Sequence, residues 1–316
     1  MSKRVLILEG GWSCERDISL LTAGDVYTTL TDQGYECARH DVTPRIDKLA
    51  DTLQSFQPDV VFNALHGRWG EDGHIQGFLE TQGVPYTHSG MLASALAMDK
   101  QRTKVLLESV GLKVAPGVLC QGVCGAGRLL APDKNALKDV IVNKDKPVVC
   151  KPNDEGSSVG TFIFKNIDDI LLPKWGFGPV LIESYIPGQE ISVPVMDDRA
   201  LGVLELKPME GFYDYTAKYQ EGKTDHIYPA RLPTAVTQQA HEWAVKAHDV
   251  LGCEGVSRTD FRYNPEEGEE GLYVLEVNTQ PGLTSLSIVP EVAAYEGISF
   301  AQLLIWMIEN ARKPRQ

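Results

Sequence analysis

From Val5 onward the chain alternates between short apolar runs and helically spaced segments. Val5 to Leu8 reads as a buried strand, Ser19 to Leu30 as a helix and Tyr35 to His40, after Gly34, as a second strand. This pattern commits the start of the chain to a parallel sheet, because neighbouring parallel strands need a crossover between them. A third strand, Asp59 to Leu65, leads into the loop His66-Gly67-Arg68-Trp69-Gly70-Glu71-Asp72-Gly73, and a helix is predicted over Ile75 to Gln82. Parallel sheets bind ligands beyond the carboxyl ends of their strands. Both Gly-rich loops, at Gly10-Gly11 and at Gly67 to Gly73, fall there.

The pattern then changes. Met91 to Val110 reads as one long helix stopped by Gly111. Cys120 to Asp133, with three Gly and a Pro, reads as a loop, and residues 120–142 carry no motif. Strands at Pro147 to Lys151, Thr161 to Phe164 and Val180 to Ser184 recur at the short intervals of an antiparallel sheet. More strands follow at Ile191 to Met196, Leu201 to Leu206, Gly255 to Tyr263 and Leu272 to Asn278, with helices at Thr237 to Leu251 and Phe300 to Ala311. There is no internal repeat. The 316 residues therefore read as an α/β (α+β) chain of three domains: a parallel-sheet domain over 1–90, a small antiparallel α+β domain over 91–186 and a C-terminal α+β domain over 187–316.

Charge narrows the partners. Forty-three acidic against 30 basic residues give a net charge of -13, which repels phosphate backbones and anionic membranes, so neither nucleic acid nor membrane is expected as a partner. The six cysteines form no C-x-x-C pair and read as free thiols. The apolar stretch after the basic N-terminus stops at Glu9, too short for a signal peptide, and no apolar run reaches the roughly 18 residues of a membrane helix. A cytoplasmic protein is expected.

The strongest local signal for chemistry is a pair of strands. Arg258 and Asp260 are two apart on one, Glu276 and Asn278 two apart on the next, so alternation points each pair to one face. Pairing would converge Asp260, Glu276 and Asn278 on a spot suited to Mg²⁺, which takes one or two carboxylates plus substrate oxygens. The alternative is a solvated outer face, but Val274, Leu275 and Val277 imply burial, where an unpaired carboxylate is costly. Asn153 to Gly160, directly after Lys151, could wrap phosphate oxygens with its N–H groups; alone it reads rather as a surface hairpin loop, and it lacks the G-K-[ST] of a Walker loop. Lys100 alone reads as an exposed helical lysine, and Glu183 and Glu190 as strand-end acids flanking Tyr185-Ile186-Pro187-Gly188. His66 alone reads as structural, and Glu15 and Ser13 as helix caps.

Taken in order, Gly10-Gly11-Trp12-Ser13-Cys14-Glu15, Leu65 to Arg68 with Gly70 to Gly73, Met98-Asp99-Lys100, Lys151-Pro152 with Glu155 to Gly160, Phe212 to Tyr215 with Ala217-Lys218-Tyr219, and Glu276 to Thr279 with Pro281-Gly282 closely resemble the D-alanine:D-alanine ligase family of the ATP-grasp superfamily. The resemblance spans essentially the whole chain.

It implies ATP-dependent joining of two D-alanines for peptidoglycan synthesis through an acyl phosphate, by a homodimer. ATP would be held by Lys100, Lys151 and Lys218, by Glu183 and Glu190, and by the backbone from Ser184 to Ile186. Asp260, Glu276 and Asn278 would hold two Mg²⁺ (or Mn²⁺) ions, and Arg258 with the Gly282 amide would stabilise the developing oxyanion. Glu15 would anchor the first D-alanine ammonium near His66, Ser287 and the backbone at Ile288 would hold the second carboxylate, and Glu15, Ser157 and Tyr219 would close the lid formed by 207–222. Tyr219 goes with dipeptide formation in the family, where Phe goes with D-lactate. Trp69 stands where a smaller residue is expected, and Gln280 at a position expected to tolerate change. The rivals are an ATP-grasp ligase for another amino acid, a nucleotide-binding regulator without catalysis and, given the missing G-x-G-x-x-G, more remotely an NAD-dependent oxidoreductase.

Overall fold

A computed structural model describes residues 3–122, 137, 146–172, 175–208, 224–284 and 287–314. The chain opens with β1 (Arg4–Gly10), α1 (Arg16–Asp32), β2 (Glu36–Val42), α2 (Ile46–Phe56), β3 (Val60–Asn63) and α3 (His74–Gln82). The strands form the expected parallel sheet in the order β2-β1-β3. Val5 to Leu8 in the middle strand are fully buried, which is why that run is continuous rather than alternating. Helix α2 was not expected from the sequence, although Ile46, Leu49 and Leu53 share one helical face; Leu49 and Leu53 are buried against the sheet.

The long helix predicted over Met91 to Val110 is two helices, α4 (Met91–Met98) and α5 (Lys100–Ser109). Asp99 between them is extended (φ -82°, ψ 95°), and its carboxylate accepts from Arg102 N, capping α5. Capping outweighs the continuity that the apolar spacing implies, and it sets Lys100 at the first position of a helix. The antiparallel sheet that follows comprises β4 (Gly117–Cys120), β5 (Val148–Pro152), β6 (Phe162–Phe164) and β7 (Val180–Ser184), in the order β4-β7-β5-β6. Cys120 closes a strand rather than opening a loop. Most of the predicted loop beyond it lies outside the described residues.

The third sheet runs β11-β10-β8-β12-β13, from β8 (Gln189–Met196), β9 (Arg199–Ala200), β10 (Leu204–Pro208), β11 (Thr224–Ile227), β12 (Val256–Tyr263) and β13 (Leu272–Asn278), with β9 paired to β8. The strand expected over Leu201 to Leu206 is instead β9 and β10 with a gap between them. Helices α6 (Thr234–Leu251), α7 (Ile288–Tyr295) and α8 (Phe300–Glu309) pack on this sheet and its neighbour. Lid residues 209–222 lie outside the described residues.

The first and third sheets share a core. Val5, Ile7, Val26 and Phe62 cluster with Leu204, Val256, Leu304 and Met307, whereas β4 to β7 keep a separate cluster around Cys120, Val148, Cys150 and Ile182. The end of the chain also returns to the first unit, where Arg312 and Tyr86 exchange backbone hydrogen bonds of 2.8 and 3.1 Å. Among the described residues the five cysteines are free thiols, and no single helix is long and apolar enough to cross a membrane.

Candidate active site

β12 and β13 pair antiparallel with Asp260 opposite Glu276 and Arg258 opposite Asn278. The alternation read from the sequence is therefore met by register, and the four side chains share one face. A register shift follows between Asp260 and Phe261. Asp260 is 7% exposed and fully engaged: Arg258 donates through Nε (2.9 Å) and the terminal Nη2 (2.7 Å), and Ser192 Oγ on β8 donates at 2.5 Å. Ser192 was not singled out in the sequence because it belongs to a strand distant in the chain.

Lys100 is no exposed helical lysine: it is 7% exposed. Its ammonium donates to the Glu155 carbonyl at 2.5 Å and lies 3.4 Å from Glu276 Oε2. Its backbone N–H bonds the Asn153 carbonyl, and Asn153 Oδ1 accepts from Gln101 N at 3.0 Å. The N-terminus of α5 is thus sewn to the loop 153–160, whose Ser157 and Ser158 have positive φ. Arg68 reaches the same loop, 3.7 Å from Asp154 and 3.6 Å from Glu155.

Behind the loop, Glu183 is buried between two lysines. Oε2 lies 2.7 Å from Lys151 Nζ, and Oε1 takes Lys104 Nζ, which also bonds the Ala115 carbonyl. Burial pushes the Glu183 carboxyl up, but the two ammoniums prevail and bring it down to about 2. For Lys151 burial works against the charge, and Glu183 and Glu276 outweigh it, so the ammonium is held above its ordinary range. Glu183 is thus a counter-ion for lysines rather than an exposed strand-end acid. Nearby, Arg262 bonds the Ile186 carbonyl (3.0 Å) and Glu190 (3.3 Å). Ser184 and Tyr185 donate their backbone N–H groups to Pro116 and Pro147.

Glu15 begins α1, but its side chain makes no capping bond; it accepts instead from Ser157 Oγ across the cleft. This approach needs glycine. A Cβ on Gly67 (φ 70°) would sit 2.5 Å from Glu15 Oε2. His66 is buried, with Thr22 Oγ1 3.0 Å from Nε2 and Glu71 Oε1 3.1 Å from Nδ1. Thr22, on α1, has no signature that sequence alone would reveal. Ser287 precedes α7 without a side-chain capping bond, its Oγ accepting instead from Thr284 N at 3.0 Å, and a Cβ on Gly282 would meet Ser287 Oγ at 2.8 Å. Lys218 and Tyr219 lie outside the described residues. Trp69 stacks near Trp12, ring centroids 5.4 Å apart. Gln280 is 1% exposed, accepting from Asn63 Nδ2 at 2.6 Å and donating to the Leu65 carbonyl.

These residues line two chambers. One, of about 340 Å³, holds Glu15, His66, Ser157, Arg258, Gly282 and Ser287. The other, of about 120 Å³, holds Lys151, Glu183, Ser184, Ile186, Glu190 and Asp260. Lys100, Glu155 and Glu276 border both. A divalent cation fits at this junction by donor chemistry: hard oxygens from Asp260, Glu276 and Asn278 on paired strands. Among the described residues no group of three or more His, Cys, Asp or Glu is arranged to hold a metal, and this set has only two acids. A carboxylate has about four lone-pair sites, so Asp260 can keep Arg258 and still offer an oxygen.

A phosphate-suited chamber gripped between two antiparallel sheets, opening onto a second chamber under a parallel sheet, defines a protein of the ATP-grasp class. Family models described as D-ala D-ala ligase N-terminus and C-terminus match residues 37–89 and 106–309. D-alanine--D-alanine ligase of Paramagnetospirillum magneticum is 48% identical over 316 residues, 99% of each chain, and that of Gluconobacter oxydans 46% over 314, covering 98% of this chain and 99% of that one. The solved D-alanine--D-alanine ligase of Bacillus anthracis complexed with ATP superposes with a TM-score of 0.80 at 29% identity, over 98% of this chain and 97% of the other. The VanG D-Ala:D-Ser ligase of Enterococcus faecalis reaches 0.79 at 27%, over 98% and 99%. The chain belongs to the D-alanine--D-alanine ligase family.

Proposed function

We propose that this protein joins two D-alanines to D-alanyl-D-alanine at the expense of ATP, releasing ADP and phosphate, as a step in peptidoglycan precursor synthesis. A carboxylate is a poor electrophile for an amine. Attack of the first D-alanine carboxylate on the γ-phosphorus expels ADP and gives an acyl phosphate; attack of the second amino group on the acyl carbon then expels phosphate. What carries the reading is the meeting of the two chambers at Lys100 and Glu276, within a chain of this family.

The small chamber takes the nucleotide, with Lys100 and Lys151 on the phosphates, Lys218 reaching the γ-phosphate from the lid, and Glu190 with the Ser184 to Ile186 backbone at the nucleoside. Glu183 acts there through Lys151. Asp260, Glu276 and Asn278 would hold two Mg²⁺ or Mn²⁺ ions, which when bound supply neutralisation of phosphate charge. The large chamber takes the amino acids. Glu15 faces the first ammonium with His66 beside it, Ser157 and Tyr219 close on Glu15, and Ser287 with the Ile288 backbone receives the second carboxylate. Arg258 and the Gly282 N–H would donate to the oxyanion of the tetrahedral intermediate, a charge that fixed donors stabilise strongly in a closed site.

Residues 1–90, 91–186 and 187–316 are the substrate, central and catalytic domains of a cytoplasmic homodimer. Incubation with ATP, Mg²⁺ and D-alanine followed by mass detection tests the reaction: the dipeptide is expected with one ADP per product, and phosphate release without dipeptide would redirect the assignment to another acceptor, to be found with a D-amino-acid panel.

A further inference from the structure

Lys104 lies one helical turn beyond Lys100 on α5 and is 4% exposed. It lines neither chamber, so no substrate reaches it. Among the described residues its hydrogen-bond acceptors are the Ala115 carbonyl and one oxygen of Glu183, whose other oxygen holds Lys151 at 2.7 Å. A buried ammonium is expensive and persists only where its charge is matched. Burial pulls the Lys104 ammonium below its ordinary range against the attraction of Glu183. A neutral methionine would fill the same space without that penalty, so the retained charge asks for a role.

The arithmetic of the three groups supplies one. Two ammoniums on one carboxylate leave a surplus positive charge, and only Lys151 of the two lines the nucleotide chamber. Without Lys104, Glu183 and Lys151 would cancel, and an incoming phosphate would compete with an undivided counter-ion for Lys151. We propose that Lys104 is a positioning residue for the nucleotide: by sharing Glu183 it leaves the Lys151 ammonium free to meet a phosphate oxygen.

The inference rests on the assignment of Lys151 to the nucleotide phosphates. Its test is steady-state kinetics with ATP and D-alanine varied separately. For Lys104→Met we expect the KM for ATP to rise about tenfold while the KM for D-alanine stays within about twofold. For Lys104→Arg, which keeps a cation on Glu183, the KM for ATP should stay within about threefold of the parent enzyme. A purely structural role for Lys104 predicts instead that the two KM values move together. An unchanged KM for ATP in Lys104→Met, or a Lys104→Arg variant as impaired as Lys104→Met, overturns the proposal. Should Lys104→Met fail to fold, Lys104→Gln takes its place with the same outcomes: a tenfold rise in the KM for ATP alone supports the proposal, and an unchanged one overturns it. Lys151→Met separates the two readings, because an unchanged KM for ATP there removes the assignment of Lys151 itself.

Discussion

The Lys100 ammonium lies 3.4 Å from Glu276 Oε2, at the border shared by the two chambers. Glu276 therefore has a cation beside it before any metal binds, and Asp260 has Arg258. Removing either carboxylate should leave its cation unmatched as well as delete an oxygen donor. Asp260→Ala and Glu276→Ala are expected to lower kcat by on the order of 1,000-fold, since a metal supplies several kcal/mol of transition-state stabilisation. Turnover across a Mg²⁺ titration checks this, and full activity in either variant would sink the metal assignment.

Gly67 is required by its neighbour. Gly67→Ala puts a methyl group into Glu15 Oε2 at a positive φ, where a side chain costs about 1–2 kcal/mol even without the clash. The KM for the first D-alanine should rise with the KM for ATP nearly unchanged. Equal effects on both would show that the loop, not Glu15, had been disturbed.

Gln280 ties the third sheet to the first through Asn63 and Leu65. Gln280→Ala leaves buried partners unpaired, for about 1–3 kcal/mol of lost stability, and chemical denaturation should read that loss. A variant as stable as the parent would restore the expectation from sequence that this position tolerates change.

The Glu183 carboxyl is lowered from its ordinary 4.5 to about 2. A depressed acid stabilises the fold fully above its unfolded value, and that stabilisation drains away as pH falls through the folded one. The stability advantage of the parent enzyme over Glu183→Gln should thus be full above pH 4.5 and shrink between pH 4.5 and about 2. An advantage that grows as pH falls through this window would contradict the ion triad.

The family resemblance ties Tyr219 to the choice of acceptor. Tyr219→Phe should raise the share of D-lactate-ended product when D-alanine and D-lactate compete, measured by mass across pH. An unchanged product ratio would free the acceptor choice from this residue.

Much of this was legible beforehand because periodicity is a local property. The convergence of Asp260, Glu276 and Asn278 needed only alternation and adjacency, and β12 and β13 supplied both. The break at Asp99 was not legible, since Met91 to Val110 carries the spacing of one helix and only the capping bond to Arg102 divides it. Lys104 was passed over for a similar reason: a lysine on a helix reads as solvated unless its partner, here 79 positions away, is known. Thr22, Ser192 and Gln280 are polar residues whose value lies wholly in what the fold sets opposite them. The lid residues Lys218 and Tyr219 rest on the motif alone.

The shared core also divides the molecule into two bodies. Leu304 and Met307 from the end of the chain are packed among Val5, Ile7 and Val26 from its beginning, so those two units form a single fixed jaw. The sheet of β4 to β7, with its own small core, is the other jaw, fastened at Tyr185 to Gly188 and along α5. The Ser157–Glu15 hydrogen bond therefore spans the two jaws, and the amino-acid chamber takes its floor from one and its roof from the other.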